Sequence, residues 1–145
     1  MKLNGFLVVT INLSALGCPE RAEVIGFRSH CSAMIEAKVS GADFVADLKK
    51  PHRLSDGIGL YRFHICPSSL TSTEKLSSRW ELLHVHANRI TEIARPCGNI
   101  SPKGTVTIAG WTEWQHEIDQ DAERNVLFSI PRRLALGKPL MRCRR

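Results

Sequence analysis

Two acidic residues and a lysine occur in short stretches whose alternation of residue types is typical of β-strands. In the segment 33–39, apolar residues alternate with Met34, Glu36 and Lys38. A strand here would point Glu36 and Lys38 to the same side, because successive side chains of a strand face opposite ways. The segment 22–27 offers a second short strand, which carries Glu23. Two carboxylates and an ammonium group at the mouth of a small sheet are what metal-assisted hydrolysis of a phosphodiester requires.

The same residues have a simpler interpretation as a solubilising pair on an exposed strand. Opposite charges on the solvent face of a sheet are common and need no catalytic role. The spacing acid-x-lysine is also unspecific by itself, since Asp47-Leu48-Lys49 repeats it within a segment predicted to be helical. From the residues alone, both interpretations stay open.

A helix is predicted directly after the second of these strands. Ser40 occupies an N-cap position, with Asp43 three residues later in the position of a capping box. Apolar residues then recur at helical spacing and are expected to cover the sheet: Phe44, Val45 and Leu48. Pro51 should stop the helix, because proline lacks a backbone donor.

A group of cations gathers at the end of this helix, where the negative end of the helix dipole favours positive charge. The group is Lys49, Lys50, His52 and Arg53.

The remaining elements predict an α/β (α+β) protein with a small mixed central sheet flanked by helices. Strands are predicted at 60–66 and 105–109, and a hairpin at 80–86 and 89–94. The segment 68–78 reads as a loop with one short helical turn, and 96–104 as a linker. A helix is predicted at 114–127, ended or kinked by Pro131. Residues 6–11 suit a first strand, although residues 1–18 also resemble a secretory signal, which would make this a small exported protein.

Composition is that of one globular domain of 145 residues with a net charge of +6. Residues 1–120 contain 13 Lys/Arg and 12 Asp/Glu, whereas residues 121–145 contain 7 and 2. We therefore expect a main domain over 1–120 and a helix end with a basic tail over 121–145, which suits phosphate binding or is merely solvated. No apolar run approaches the roughly 18 residues of a membrane span, so no membrane partner is expected.

The other reactive residues point to no alternative catalytic motif. The five cysteines are odd in number and contain no C-x-x-C pair, which favours reduced thiols in a cytoplasmic protein over a zinc ribbon or disulfides. His84 and His86 share one face of a predicted strand and form either a metal pair or two exposed histidines. Trp80, Trp111 and Trp114 suit nucleotide stacking, with a core role favoured for Trp80.

The run from Glu20 to Arg53 resembles the PD-(D/E)xK nuclease superfamily, and more narrowly the small phage and bacterial MmcB-like DNA repair proteins. The resemblance is carried by Glu23, by Glu36-Ala37-Lys38 and by the string from Val39 to Arg53. It continues more weakly through 61–67, 79–83 and 90–96, and it covers roughly half of the chain.

This resemblance implies a restriction-endonuclease-like fold and a metal-dependent nuclease that processes or repairs DNA. Glu23 and Glu36 would bind Mg²⁺ or Mn²⁺ with the Ala37 carbonyl, and Lys38 would act on the attacking water or the developing charge. The resemblance also assigns Lys49, Lys50, His52 and Arg53 to DNA-backbone contacts and implies that a homodimer can form.

Two departures from the family pattern keep a second function open. Glu23 stands where the family usually has aspartate, and no helix precedes the first strand. Gly41, where the family more often has arginine, removes a possible phosphate contact. The alternative is a catalytically inactive module of the same fold that binds DNA or protein.

Overall fold

The computed structural model describes residues 6–50, 57–95 and 111–138. They form one six-stranded mixed sheet with two α-helices, which confirms the predicted fold class. The strands lie in chain order across the sheet: β1 (Val8–Ile11), β2 (Val24–Phe27), β3 (Ser32–Ala37), β4 (Tyr61–Pro67), β5 (Trp80–His86) and β6 (Arg89–Ala94). The helices are α1 (Gly41–Leu48), between β3 and β4, and α2 (Gln120–Ala135), after the sheet.

Strand direction sets which ends of the strands meet. The central strands β3, β4 and β5 run parallel, whereas β1–β2, β2–β3 and β5–β6 pair antiparallel. The carboxyl ends of β3, β4 and β5 therefore share one end of the sheet with the start of β2 and the end of β1.

Alternation along the strands divides the buried residues between two faces. One face packs against α2, through a cluster that joins Ile25, Met34 and Trp80 to Ala122, Val126 and Ile130. The opposite face carries a second cluster: Cys31, Ala33, Ile35, Tyr61, Phe63, Leu83 and Trp111. Residues beyond 120 thus contribute to the same core as the sheet.

The first strand and the hairpin agree with their predictions. β1 pairs with β2 in register Val8↔Phe27, as expected if residues 6–11 contain a strand. β5 and β6 have the predicted bounds, with a two-residue turn at Ala87 and Asn88.

The start and end of α2 differ from the prediction. Trp114 ends a separate 3₁₀ turn (Thr112–Trp114), and α2 begins after Asp119, whose carboxylate accepts from the Ala122 amide at 2.9 Å. Pro131 neither ends nor interrupts the helix. Pro131 and Leu127, whose carbonyl loses its intrahelical donor, are both exposed, so water can satisfy that carbonyl.

Several predictions fall on residues outside the described ranges. These are the linker at 96–104, the strand at 105–109, the stop at Pro51 and the last seven residues of the basic tail. None of the helices in the described ranges is long and apolar enough to cross a membrane.

Candidate active site

The ammonium group of Lys38 lies between two carboxylates where solvent scarcely reaches. Its Nζ atom is 3.4 Å from Glu36 Oε2 and 3.2 Å from Asp47 Oδ1. The side chains of Lys38, Glu36 and Asp47 are 3%, 3% and 1% exposed. An isolated charge at such depth is strongly destabilising, so each of these groups depends on its partners. Glu36 and Lys38 are therefore not an exposed solubilising pair.

A second ammonium group extends this cluster to the surface. Lys50 Nζ lies 2.7 Å from the same Asp47 oxygen, and the Lys50 side chain is 45% exposed. Asp47 is thus shared by one buried and one half-exposed lysine. The chain of charges runs from Glu36 in the interior to Lys50 at the surface.

Local backbone structure explains why Glu36 and Lys38 point the same way. Glu36 is the penultimate residue of β3, and Lys38 follows the end of the strand. The Lys38 amide donates to the Ile65 carbonyl at 2.9 Å, which keeps the chain against β4 beyond the strand end. Residues two apart in extended backbone share a face.

The helix α1 supplies Asp47 from its inward side. The Asp43 amide donates to Ser40 Oγ at 3.1 Å, which confirms Ser40 as the N-cap. Phe44 and Asp47 are the buried residues of this helix, and three positions apart they share one face. Val45, predicted to cover the sheet, is 51% exposed. That part of the prediction is wrong because the inward position goes to Asp47, which Lys38 requires as a counter-charge.

Glu23, directly before β2, lies at the same end of the sheet. Its carboxylate accepts a hydrogen bond from the Ala37 amide at 2.8 Å. The antiparallel register pairs Val24 with Ile35, so the adjacent position places Glu23 opposite Glu36. The Asn12 amide donates to the Glu23 carbonyl at 2.7 Å and holds this residue beside the end of β1.

The three predicted catalytic residues therefore gather at one end of the sheet. Glu36 and Lys38 are in contact, and the Glu23 carboxylate is bonded to the residue between them. Of the cations predicted to bind nucleic acid, Lys49 and Lys50 are exposed at the end of α1, with Lys50 paired to Asp47. His52 and Arg53 lie outside the described residues.

Asp47 and His64 lie in this cluster, although the sequence did not assign them to it. His64 stands opposite Glu36 in the parallel register of β3 and β4 and is 1% exposed. Its ring stacks on the Trp80 ring, with the centroids 4.1 Å apart, and packs at a tilt against the Phe44 ring, with the centroids 5.0 Å apart. Asp47 follows Phe44 by three residues, so the sequence could have indicated that Asp47 lies on the buried face of the helix. The position of His64 depends on strand pairing, which no local pattern reveals.

The donors at this site fit a hard divalent cation in type. Within residues 6–50, 57–95 and 111–138, no group of three or more His, Cys, Asp or Glu side chains could hold a metal ion. Mg²⁺, however, is commonly bound by one or two carboxylates, with water and substrate phosphates completing the octahedron. Glu23 and Glu36 supply two carboxylates. The carbonyl of Ala37, the residue between Glu36 and Lys38, offers a third oxygen.

The other candidate residues have structural environments. His84 is 9% exposed, and its Nε2 lies 3.2 Å from the Thr71 carbonyl oxygen. Trp80 is 2% exposed within the core, as favoured from the sequence. Burial raises the pKa of the Cys18, Cys31 and Cys66 thiols, so these free cysteines stay protonated at neutral pH.

Comparison with known proteins identifies a shared fold but no family. No family model and no curated protein matches the chain. The chain is similar to a solved structure, a protein of unknown function from Silicibacter pomeroyi, with a TM-score of 0.56 and 20% sequence identity. The match covers 97% of this chain and 85% of that chain. Similarity at this identity shows the fold alone.

Proposed function

We propose that this protein is a metal-dependent nuclease that hydrolyses DNA phosphodiester bonds. The observation that carries the proposal is the buried contact of Lys38 with Glu36, beside Glu23 at the shared end of β2 and β3. Two carboxylates where the ends of adjacent strands meet, with a lysine amine at their side, match the chemistry of the reaction. The wider expectations from the resemblance, namely phage or bacterial DNA repair, a cytoplasmic location and a homodimer, belong to the same proposal.

Glu23, Glu36 and the Ala37 carbonyl are the groups that would hold Mg²⁺ or Mn²⁺. When bound, such an ion neutralises phosphate charge and lowers the pKa of a coordinated water. Glu36 has the additional task of holding Lys38 by the 3.4 Å contact.

Lys38 supplies positive charge where negative charge develops on the phosphoryl oxygens. A preorganised charge in a water-poor site stabilises a transition state more than the same charge in water does. Asp47 is a positioning residue, because it fixes the Lys38 ammonium from the side of α1. Lys49 and Lys50 are exposed at the end of α1 and, in this proposal, contact the DNA backbone without reading sequence.

A second candidate function is a non-catalytic DNA-binding module of the same fold. It is favoured by the burial of Glu36 and Lys38, since at 3% exposure their ion pairs also serve to attach α1 to β3. This candidate predicts salt-sensitive DNA binding that survives Glu36→Ala.

A cleavage assay on plasmid and oligonucleotide DNA with Mg²⁺ or Mn²⁺ tests the nuclease proposal. Glu36→Gln and Lys38→Met should each lower the rate by about a hundredfold or more, the usual cost of losing one charge-stabilising group. Glu74→Gln and Lys75→Met are matched controls, because this acid and lysine are exposed on a 3₁₀ turn, and both should cleave like the wild type.

Equal cleavage by the wild type and the two site variants would identify a contaminating nuclease and defeat the proposal. Absence of cleavage in either metal, together with DNA binding that persists in Glu36→Ala, would establish the second candidate instead.

A further inference from the structure

A cavity of about 500 Å³ lies between the connection from β1 to β2 and the end of α2. Its lining includes three cations, Arg132, Arg133 and Lys138, and none of the described residues that line it is acidic. Leu16 and Leu136 add apolar surface to its wall. We call this cavity the α2 pocket.

The charges of the α2 pocket call for an anionic ligand. Three like charges around one cavity repel one another, and an anion bound among them offsets that repulsion. The negative end of the α2 dipole amounts to only about half a charge, which three cations exceed. Guanidinium groups bind phosphate oxygens through paired donors, so phosphate is the matching chemistry.

The backbone links the pocket to the candidate active site. Arg133 Nη2 donates to the Ser14 carbonyl at 2.8 Å, which fixes one wall of the pocket. Ser14 follows Asn12 by two residues, a chain reach of at most about 7 Å. The Asn12 amide in turn bonds the Glu23 carbonyl at 2.7 Å. The pocket and the Glu23–Glu36 site therefore lie at the same end of the sheet.

We propose that the α2 pocket binds backbone phosphate of the DNA strand that enters the active site, a few nucleotides from the bond to be cleaved. Arg132, Arg133 and Lys138 pair with phosphate oxygens, and Leu16 and Leu136 lie against the sugar or base. This inference rests on the proposed function for the identity of the strand. It assigns DNA contacts to a surface separate from Lys49 and Lys50.

The test is fluorescence anisotropy of a labelled single-stranded oligonucleotide at several salt concentrations, in EDTA so that cleavage plays no part. In Arg132→Glu/Lys138→Glu, we expect binding to weaken about tenfold or more. The slope of log affinity against log salt should become shallower by about 0.7 for each phosphate that the variant no longer neutralises. Arg124→Glu/Lys75→Glu makes the same change in net charge at exposed residues outside the pocket. Its affinity for the oligonucleotide should stay much closer to that of the wild type.

A second pair of variants leaves α2 untouched. Leu16 is 88% exposed at the pocket, and Leu7 is 91% exposed elsewhere. Leu16→Glu places a carboxylate at the pocket and should weaken binding, whereas Leu7→Glu should not. These exposed positions tolerate the change without loss of the core, which thermal unfolding will verify.

Four outcomes would overturn the proposal. They are no binding by the wild type, equal binding by the pocket variants, equal weakening in the matched controls, or inorganic phosphate that binds as tightly as the oligonucleotide. Failure of the nuclease proposal is distinguishable. Pocket-dependent binding without cleavage in both Mg²⁺ and Mn²⁺ would refute catalysis alone, and cleavage unaffected by the pocket variants would refute the pocket alone.

Discussion

Lys38 gains its proposed role from its surroundings rather than from its residue type. A lysine on an exposed strand is mobile and hydrated, whereas Lys38 is 3% exposed and fixed between Glu36 and Asp47. Removing one partner of a buried pair leaves an uncompensated charge, which commonly costs about 3–5 kcal/mol. The acid-x-lysine spacing predicts Glu36 and Lys38 as site residues. It could not identify Asp47 as their partner, because that contact depends on how α1 packs against β3.

Glu81 is a buried acid in a different environment. It lies on the face of β5 opposite to that of Trp80. Its side chain is fully buried, and within the described chain neither carboxyl oxygen has a hydrogen-bond partner. Desolvation raises its pKa from 4.5 to about 9, although Arg95 acts in the lowering direction. Glu81 is therefore a neutral carboxylic acid at pH 7.

This pKa makes stability depend on pH with a definite sign. Between pH 4.5 and 9 the folded protein keeps the Glu81 proton and the unfolded chain releases it. The free energy of unfolding therefore falls as pH rises, by at most about 1.4 kcal/mol per pH unit from this group. In Glu81→Gln we expect stability relative to the wild type to increase steadily from pH 5 to pH 9 in urea denaturation. A difference that stays constant with pH would contradict the shifted pKa, and exposed Glu74→Gln serves as the control.

For single helices and strands, the sequence predicted the bounds correctly where the residues that determine them are neighbours in sequence. The bounds of β5 and β6 follow from alternating runs on both sides of Ala87-Asn88, and the start of α1 follows from Ser40. The start of α2 was predicted too early. Trp114 belongs to a 3₁₀ turn beside Trp111, which is buried in the second cluster, so tertiary packing overrides helical spacing there.

The N-cap of α1 gives a test at this scale, since the helix has only eight residues and carries Asp47. Ser40→Ala removes the side-chain acceptor for the Asp43 amide and should lower the free energy of unfolding by about 1 kcal/mol. Ser40→Asp retains an acceptor and should recover most of that loss. Urea denaturation measures both. An alanine variant as stable as the wild type would show that packing of Phe44 and Asp47 alone fixes the helix.

At the scale of the whole molecule, strand pairing creates the candidate site. The antiparallel step from β2 to β3 brings Glu23 opposite Glu36, and the parallel step from β3 to β4 brings His64 to the other side of Glu36. Sequence patterns located the strands but not their order or direction, because pairing depends on contacts between distant segments. The α2 pocket has the same origin, since it joins residues 14–16 to residues 129–138.

In the proposed function, Glu23 and Glu36 together hold a divalent cation beside Lys38. Electron paramagnetic resonance of Mn²⁺ measures this directly, because protein binding diminishes the signal of the free ion. We expect the wild type to bind Mn²⁺, and Glu23→Gln and Glu36→Gln each to weaken binding roughly tenfold or more, as expected for loss of a ligand or its close support. Asp121→Asn, at an 81% exposed position, should bind as the wild type does. Equal Mn²⁺ affinity in the wild type and both glutamate variants, or no binding by the wild type, would contradict this proposed metal site.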